Sequence, residues 1–317
     1  MREGIDVQVC EVGLRDGLQG LHTFFPTEAK KQWIEIEAAA GMPAIEVCSF
    51  VPTSVSIQFT DAQESVAHAL AQPGLHVMAL IPNLKGAERA LPTGVHQLNY
   101  VTSVSEEHNL RNVRRTVEES LTEFGRVAAL RNSKPEWKKT RICGAMATAL
   151  GCTIKGQVET KDVLRMGERY LKLGADELAI ADTVGYASPR QVKAMFQEAA
   201  RAFPGVPLTA HFHDTRGLGL ANVVAALEAG CRRFDASLAG LGGCPFAPGA
   251  TGNIVMDDLI FLLESMGLKT GVALSKLLEA RAIIRANLKD EPLYGAIAKA
   301  GLPKGFRPAS PLPLAAE

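Results

Sequence analysis

Short β-branched or apolar runs alternate with longer amphipathic stretches along most of the chain, and this alternation limits the possible folds more than any single motif. Residues 7–12, 44–50, 75–81, 97–103, 141–150, 177–182, 208–213 and 233–238 read as strands. Residues 28–40, 62–71, 84–91, 113–130, 161–173, 189–202, 218–229 and 257–266 read as helices. Gly41, Gly174, Gly230 and Gly267 fall where helices need a left-handed stop. Strand–helix alternation implies a parallel sheet, because each helix carries the chain back to start the next strand in the same direction. Eight units spaced by about 35 residues favour a (β/α)8 TIM barrel, an α/β fold, over the competing open, doubly wound sheet.

No linker divides this pattern before about residue 270. The spacing predicts a catalytic barrel domain over residues 1–280 and a C-terminal helical extension and tail over 281–317. Residues 301–317 hold four prolines and read as an extended arm or flexible tail. The 34 basic and 34 acidic side chains cancel, and without a basic run nucleic acid is not an expected partner. No apolar stretch is long enough to span a membrane and no signal-peptide core opens the chain, so no membrane partner and a cytoplasmic location are expected. Cys10, Cys48, Cys143, Cys152, Cys231 and Cys244 are scattered without a Cys-x-x-Cys pair, which suits a reducing compartment.

In a parallel barrel, chemistry gathers just past the C-terminal ends of the strands. The strand ending at His211-Phe212-His213-Asp214 presents two imidazoles two residues apart, hence on one side. Such a pair grips a metal once oxygen ligands join it. Asp16 offers a carboxylate and Asn253 an amide oxygen, a mixed set that suits a divalent ion. Each has a plainer alternative: Asp16 before Gly17 as turn chemistry, and Asn253 as a helix cap. Glu46 lies in the apolar run Ile45-Glu46-Val47, where burial demands a partner, and Arg15 is the natural counter-ion. Asp182 reads either as a helix-capping carboxylate or as a chemical group. Cys244 sits in Gly242-Gly243-Cys244-Pro245, a glycine-containing loop that can place a thiol above a metal to move a proton.

Several of these segments resemble one known family. They are Glu-Val-Gly-Leu-Arg-Asp-Gly-Leu-Gln (11–19), Ile-Glu-Val-Cys-Ser-Phe (45–50), Ile-Pro-Asn-Leu-Lys-Gly (81–86), Asp-Thr-Val-Gly (182–185), His-Phe-His-Asp-Thr (211–215), and the run from Gly240 to Asn253. In order, across about residues 5–280, they resemble the 3-hydroxy-3-methylglutaryl-CoA lyases, which are TIM-barrel metal-dependent lyases. The resemblance implies Asp16, His211, His213 and Asn253 as ligands of a divalent metal, Mg2+ or Mn2+. It implies Arg15 as stabiliser of a thioester enolate, Cys244 as the acid/base on a mobile loop, and Glu46 as a supporting carboxylate. His211, or a water near the metal, would take the hydroxyl proton, and Asp182 stands with the catalytic group. Gln19 and Ser49 match positions near the substrate. An acyl-CoA substrate, a homo-oligomer (a dimer favoured) and a place in leucine degradation go with that family.

The chain departs from the family pattern at Gly20-Leu21-His22, at Pro52-Thr53-Ser54-Val55-Ser56 and at Thr102-Ser103-Val104-Ser105-Glu106. These segments touch the expected pocket wall and leave the metal centre intact, so they bear on substrate identity. The expectation is cleavage of 3-hydroxy-3-methylglutaryl-CoA to acetyl-CoA and acetoacetate. The alternatives are a lyase for a related 3-hydroxyacyl-CoA such as citramalyl-CoA, a Claisen-condensing acyltransferase, and a metal-binding protein without catalysis.

Overall fold

The computed structural model describes residues 2–242 and 252–310. Strands β1 (Gln8–Glu11), β2 (Ala44–Ser49), β3 (His76–Ile81), β4 (Gln97–Ser103), β5 (Arg141–Ala147), β6 (Glu177–Asp182), β7 (Leu208–Phe212) and β8 (Arg233–Ala236) form a closed parallel barrel in chain order. Closure is made by β1 against β8, with Gln8 beside Arg233 and Glu11 beside Ala236. Helices α1 (Thr27–Ala39), α2 (Ala62–Leu70), α3 (Leu84–Ala90), α4 (Glu106–Val113), α5 (Val117–Asn132), α6 (Thr160–Leu173), α7 (Pro189–Ala202), α8 (Gly219–Glu228) and α9 (Met256–Ser265) connect the strands or follow the last one. The expected TIM barrel is the fold observed, and Gly41, Gly174, Gly230 and Gly267 all take positive φ.

Between barrel and helices lies a core that includes Trp33, Phe50, Phe124, Tyr170, Phe196 and Phe234, all nearly or fully buried. The sequence makes room for its largest rings. On β5 a Cβ at Gly144 would stand 2.5 Å from the Tyr170 ring, so only glycine lets α6 approach the strand there. Tyr170 packs edge-on against Phe124 at 4.7 Å, and its hydroxyl donates to Thr102 Oγ1 at 2.6 Å, so its polar tip is satisfied inside the core.

One expected helix boundary needs correction. A separate helix, α4, ends at Val113, and the helix expected over 113–130 begins only at Val117, as α5; Arg114 between them has φ 55°. Thr116 caps α5: its Oγ1 accepts from Glu119 N while Glu119 Oε2 accepts from Thr116 N, and this box starts the helix at Val117. Of the two readings of the chain after residue 300, the described part as far as Ser310 is an anchored arm without helix or strand. Ser310 N and Oγ donate to the two oxygens of the buried Glu264 at 2.7 and 2.6 Å, and Ser310 Oγ accepts from Gly271 N. Before it, α10 (Leu274–Leu277), α11 (Ala280–Asn287) and α12 (Ala296–Ala300) bury Leu277, Ile284 and Ile297 in the same core as Trp33. Arg281 on α11 donates to both carboxylate oxygens of Asp257 on α9, at 3.0 and 3.1 Å.

Candidate active site

After β1 the chain makes a single π-helical turn, Gly13–Gly17, which thrusts Arg15 and Asp16 over the barrel mouth. Glu11, the last residue of β1, holds this turn in place. Its carboxylate is fully buried, and Oε1 accepts from Gly13 N at 2.6 Å while both oxygens accept from Leu238 N at 3.0 Å. It thereby ties the loop after β1 to the loop after β8. Burial raises the Glu11 carboxyl to about 8 against the opposing pull of those N–H groups.

Arg15 is clasped by two carboxylates. Its Nε donates to Glu46 Oε2 and its Nη1 to Asp16 Oδ1 at 2.5 Å. Asp16 is drawn in opposite directions. Burial favours its neutral form, yet Arg15 first, then His211 and His213, hold it well below the usual carboxylate range. For Glu46 burial wins, and its carboxyl stays above the ordinary value in spite of Arg15.

His211 lies inside β7 and His213 just beyond the strand, where it forms a bridge with Asn253. Their Nε2 atoms are 3.1 Å apart, and they stand 3.9 and 3.6 Å from Asp16 Oδ2. Donors held at about 2.1 Å around one ion lie about 3 to 3.5 Å from their neighbours, so the two imidazoles have the spacing of a shared cation and Asp16 Oδ2 stands slightly wider. Burial and the neighbouring His211 push the His213 imidazole down to about 4, which keeps it neutral and free to offer a lone pair. Burial acts most strongly on His211 as well, but its bond to Asp235 and the charges of Asp235 and Asp16 together outweigh this and raise it. Asn253 Nδ2 donates to Asp16 Oδ2 at 2.7 Å and to Leu241 O at 3.1 Å, while its buried Oδ1 has no hydrogen-bond partner among the described residues. A half-turn of that amide puts an oxygen where a cation requires one. The donor set therefore fits a divalent ion with Asp16, His211 and His213 as its core and the Asn253 amide oxygen as a fourth ligand.

Arg15, Asp16, Gln19, Glu46, His211 and His213 line one cavity of about 1040 Å³, the gathering that the alternating strand pattern predicts. Two other expected residues are placed elsewhere. Ser49 is wholly buried within β2 and does not line the cavity. Asp182 also turns away: its oxygens accept from Tyr186 N at 2.9 Å and Ala187 N at 3.0 Å, the loop-fastening role of a capping carboxylate. Only its backbone serves the site, the Asp182 carbonyl accepting from His213 N at 3.3 Å. Cys244 lies outside the described residues. Its described flank Gly242 takes φ 100°, and a Cβ there would stand 2.8 Å from Asn253 Nδ2 and 2.9 Å from Asp16 O.

Sequence reasoning missed Asp235. Its Oδ2 is 3.1 Å from His211 Nδ1, and β7–β8 register sets it beside His211. The signal was an acidic residue in the final strand-like run, two residues after Arg233.

Barrel and mouth together define a TIM-barrel enzyme with a histidine–carboxylate cluster of the kind that holds a metal. The chain belongs to the HMGL-like family, whose model matches residues 6–284. It is similar to a hydroxymethylglutaryl-CoA lyase of Bacillus subtilis, 37% identical over 274 residues that cover 86% of this chain and 90% of that protein. A cytoplasmic 3-hydroxy-3-methylglutaryl-CoA lyase of Rattus norvegicus is 35% identical, with coverages of 86% and 79%. Among solved structures, an HMG-CoA lyase from Acinetobacter baumannii in complex with coenzyme A and 3-methylmalate superimposes with a TM-score of 0.89 at 39% identity, covering 97% of this chain and 99% of that one. The protein is an HMG-CoA lyase-type carbon–carbon lyase.

Proposed function

We propose that this enzyme cleaves 3-hydroxy-3-methylglutaryl-CoA into acetyl-CoA and acetoacetate with the help of a divalent cation, Mg2+ or Mn2+. The observation that carries the reading is the placement of Arg15 beside the Asp16–His211–His213 cluster in one cavity. Cleavage between C2 and C3 removes the proton of the 3-hydroxyl while negative charge moves onto the thioester oxygen. A cation held by Asp16, His211, His213 and Asn253 would polarise the hydroxyl and lower its pKa. Arg15, fixed by Glu46 and Asp16, supplies a guanidinium for the charge that grows on the thioester oxygen, where a preoriented donor acts most strongly. With His211 Nε2 turned toward the cation site and Nδ1 facing Asp235, a water near the cation is the group left to take the hydroxyl proton. The thiol of Cys244 is the acid that returns a proton to C2 of the departing acetyl-CoA. Gln19 on the cavity wall is assigned to substrate contact.

Pro52, Ser54, Val55 and Ser56, from a segment that departs from the family pattern, line the same cavity. That favours a second reading, in which a related tertiary alcohol such as citramalyl-CoA is the better substrate. Mass-spectrometric product analysis with a panel of 3-hydroxyacyl-CoA esters, with Mn2+ and after chelation, separates the two. Acetoacetate plus acetyl-CoA as the fastest products supports the first reading, and faster cleavage of citramalyl-CoA supports the second. No helix among the described residues is long and apolar enough to cross a membrane. Cys10, Cys48, Cys143, Cys152 and Cys231 are buried free thiols, which supports a cytoplasmic site of action. A homodimer remains part of this reading.

A further inference from the structure

Inward-facing positions of a (β/α)8 barrel are mostly filled by branched apolar side chains. In β4 this chain instead sets two amides on the inner face, Gln97 and Asn99, while the alternate residues Leu98 and Tyr100 are buried in the core. Amides inside a barrel must find partners, and these two form a continuous chain that ends at the site. Asn99 Nδ2 donates to Glu46 Oε1 at 2.8 Å. Gln97 Nε2 donates to Asn99 Oδ1 at 2.9 Å, and Gln97 Oε1 lies 3.3 Å from His76 Nε2, at the start of β3. On the far side of Glu46, Oε2 accepts from Arg15 Nε.

The polarity of this chain follows from one group. Glu46 bonded to Arg15 is a carboxylate and can only accept, so Asn99 must present its nitrogen. Asn99 then has an oxygen left for Gln97, Gln97 must present its own nitrogen there, and its oxygen requires a proton on His76 Nε2. Every amide orientation is thus fixed from the anionic end, and each bond polarises the next toward Glu46. A carboxylate is a rigid plane, so holding Oε1 sets the direction in which Oε2 meets Arg15. Without the Asn99 donor, the carboxylate can turn to meet a different edge of the guanidinium.

We propose that Asn99 and Gln97 are positioning residues: a directed chain of amide hydrogen bonds through the barrel interior fixes the Glu46 carboxylate and, through it, the face that Arg15 presents to the substrate. The proposal rests on the reading of Arg15 as the group that stabilises the enolate. It is tested in the full-length enzyme with Asn99→Leu and Gln97→Leu. Steady-state kinetics with 3-hydroxy-3-methylglutaryl-CoA and Mn2+ are read alongside the 1H–15N signal of the Arg15 Nε–H group.

Asn99→Leu lowers kcat by about 10- to 100-fold while KM moves by less than about threefold, because the loss falls on transition-state alignment rather than on binding. The Arg15 Nε–H signal shifts in the same variant. Gln97→Leu changes both in the same direction and by less. In an active enzyme the proposal needs both changes, and either one without the other overturns it. Unaltered kcat and signal in Asn99→Leu overturn it outright. If the wild-type enzyme turns over no 3-hydroxyacyl-CoA, the functional reading fails, and the Arg15 signal alone decides whether the chain of amides positions it. Should Asn99→Leu not fold, Gln97→Leu carries the same readouts, since it leaves the Asn99–Glu46 pair in place and removes what orients it.

Discussion

Asp235 on β8 and His211 on β7 face each other across one rung of the barrel, with Asp235 Oδ2 3.1 Å from His211 Nδ1. A carboxylate at Nδ1 keeps the proton there and leaves the Nε2 lone pair directed at Asp16 and His213. The arrangement of side chains at the mouth thus depends on a residue inside the barrel wall.

Asp235→Asn is therefore expected to lower divalent-metal affinity and turnover by about 10- to 100-fold while the fold stays intact. Manganese titration and kcat measure the loss, and the far-ultraviolet circular dichroism spectrum checks the fold. Unchanged metal affinity in this variant would show that Asp235 does not orient His211.

Cys244→Ser tests the thiol acid. A serine hydroxyl is a far weaker acid than a thiol, so turnover should fall by at least about 10²-fold if that group protonates acetyl-CoA. Melting temperature and manganese affinity should match the wild type. Full turnover in the serine variant removes Cys244 from the mechanism.

Glu11 and Glu37 give a pH signature of stability. Both are fully buried, and Glu37 Oε1 accepts from Trp33 Nε1 at 2.7 Å. Burial raises Glu11 to about 8, and burial followed by the charge of Glu11 raises Glu37 as well. An acid with a raised pKa in the folded state keeps its proton longer there than in the unfolded chain. Its stabilising effect is complete below the unfolded pKa, near 4.5, and is lost as pH climbs through the folded value. Each such proton makes stability decline by about 1.4 kcal/mol per pH unit within that window. Glu37→Gln keeps an oxygen for Trp33 and removes one titrating carboxyl, so the fall in melting temperature between pH 5 and 8 should be shallower than in the wild type. An identical slope in the two proteins contradicts the assignment.

The parts of this enzyme that were legible in the sequence are those governed by local pattern. Period-two and helical spacings marked the strands and helices, and strand ends marked Asp16, His211 and His213, because barrel closure sends all such ends to one mouth. What escaped depends on pairing between distant segments. Asp235 and Asn99 gain their roles from residues 24 and 53 positions away, which no single run of sequence displays. Asp182 and Ser49 sat in the right segments, but a strand-end residue can turn to either side, and hydrogen bonds to Tyr186 N and Ala187 N took Asp182 away from the cavity. The start of α5 at Val117 was readable in principle, since Thr116 and Glu119 have the spacing of a capping box.

Whether Asp16, His211 and His213 share one divalent cation is tested most directly by calorimetric titration of the metal-free enzyme with Mn2+. The wild type should bind one ion per chain, and His213→Ala and Asp16→Asn should each weaken that binding by at least about tenfold while remaining folded. Equal stoichiometry and affinity in all three proteins, or no binding in the wild type, would contradict a shared cation.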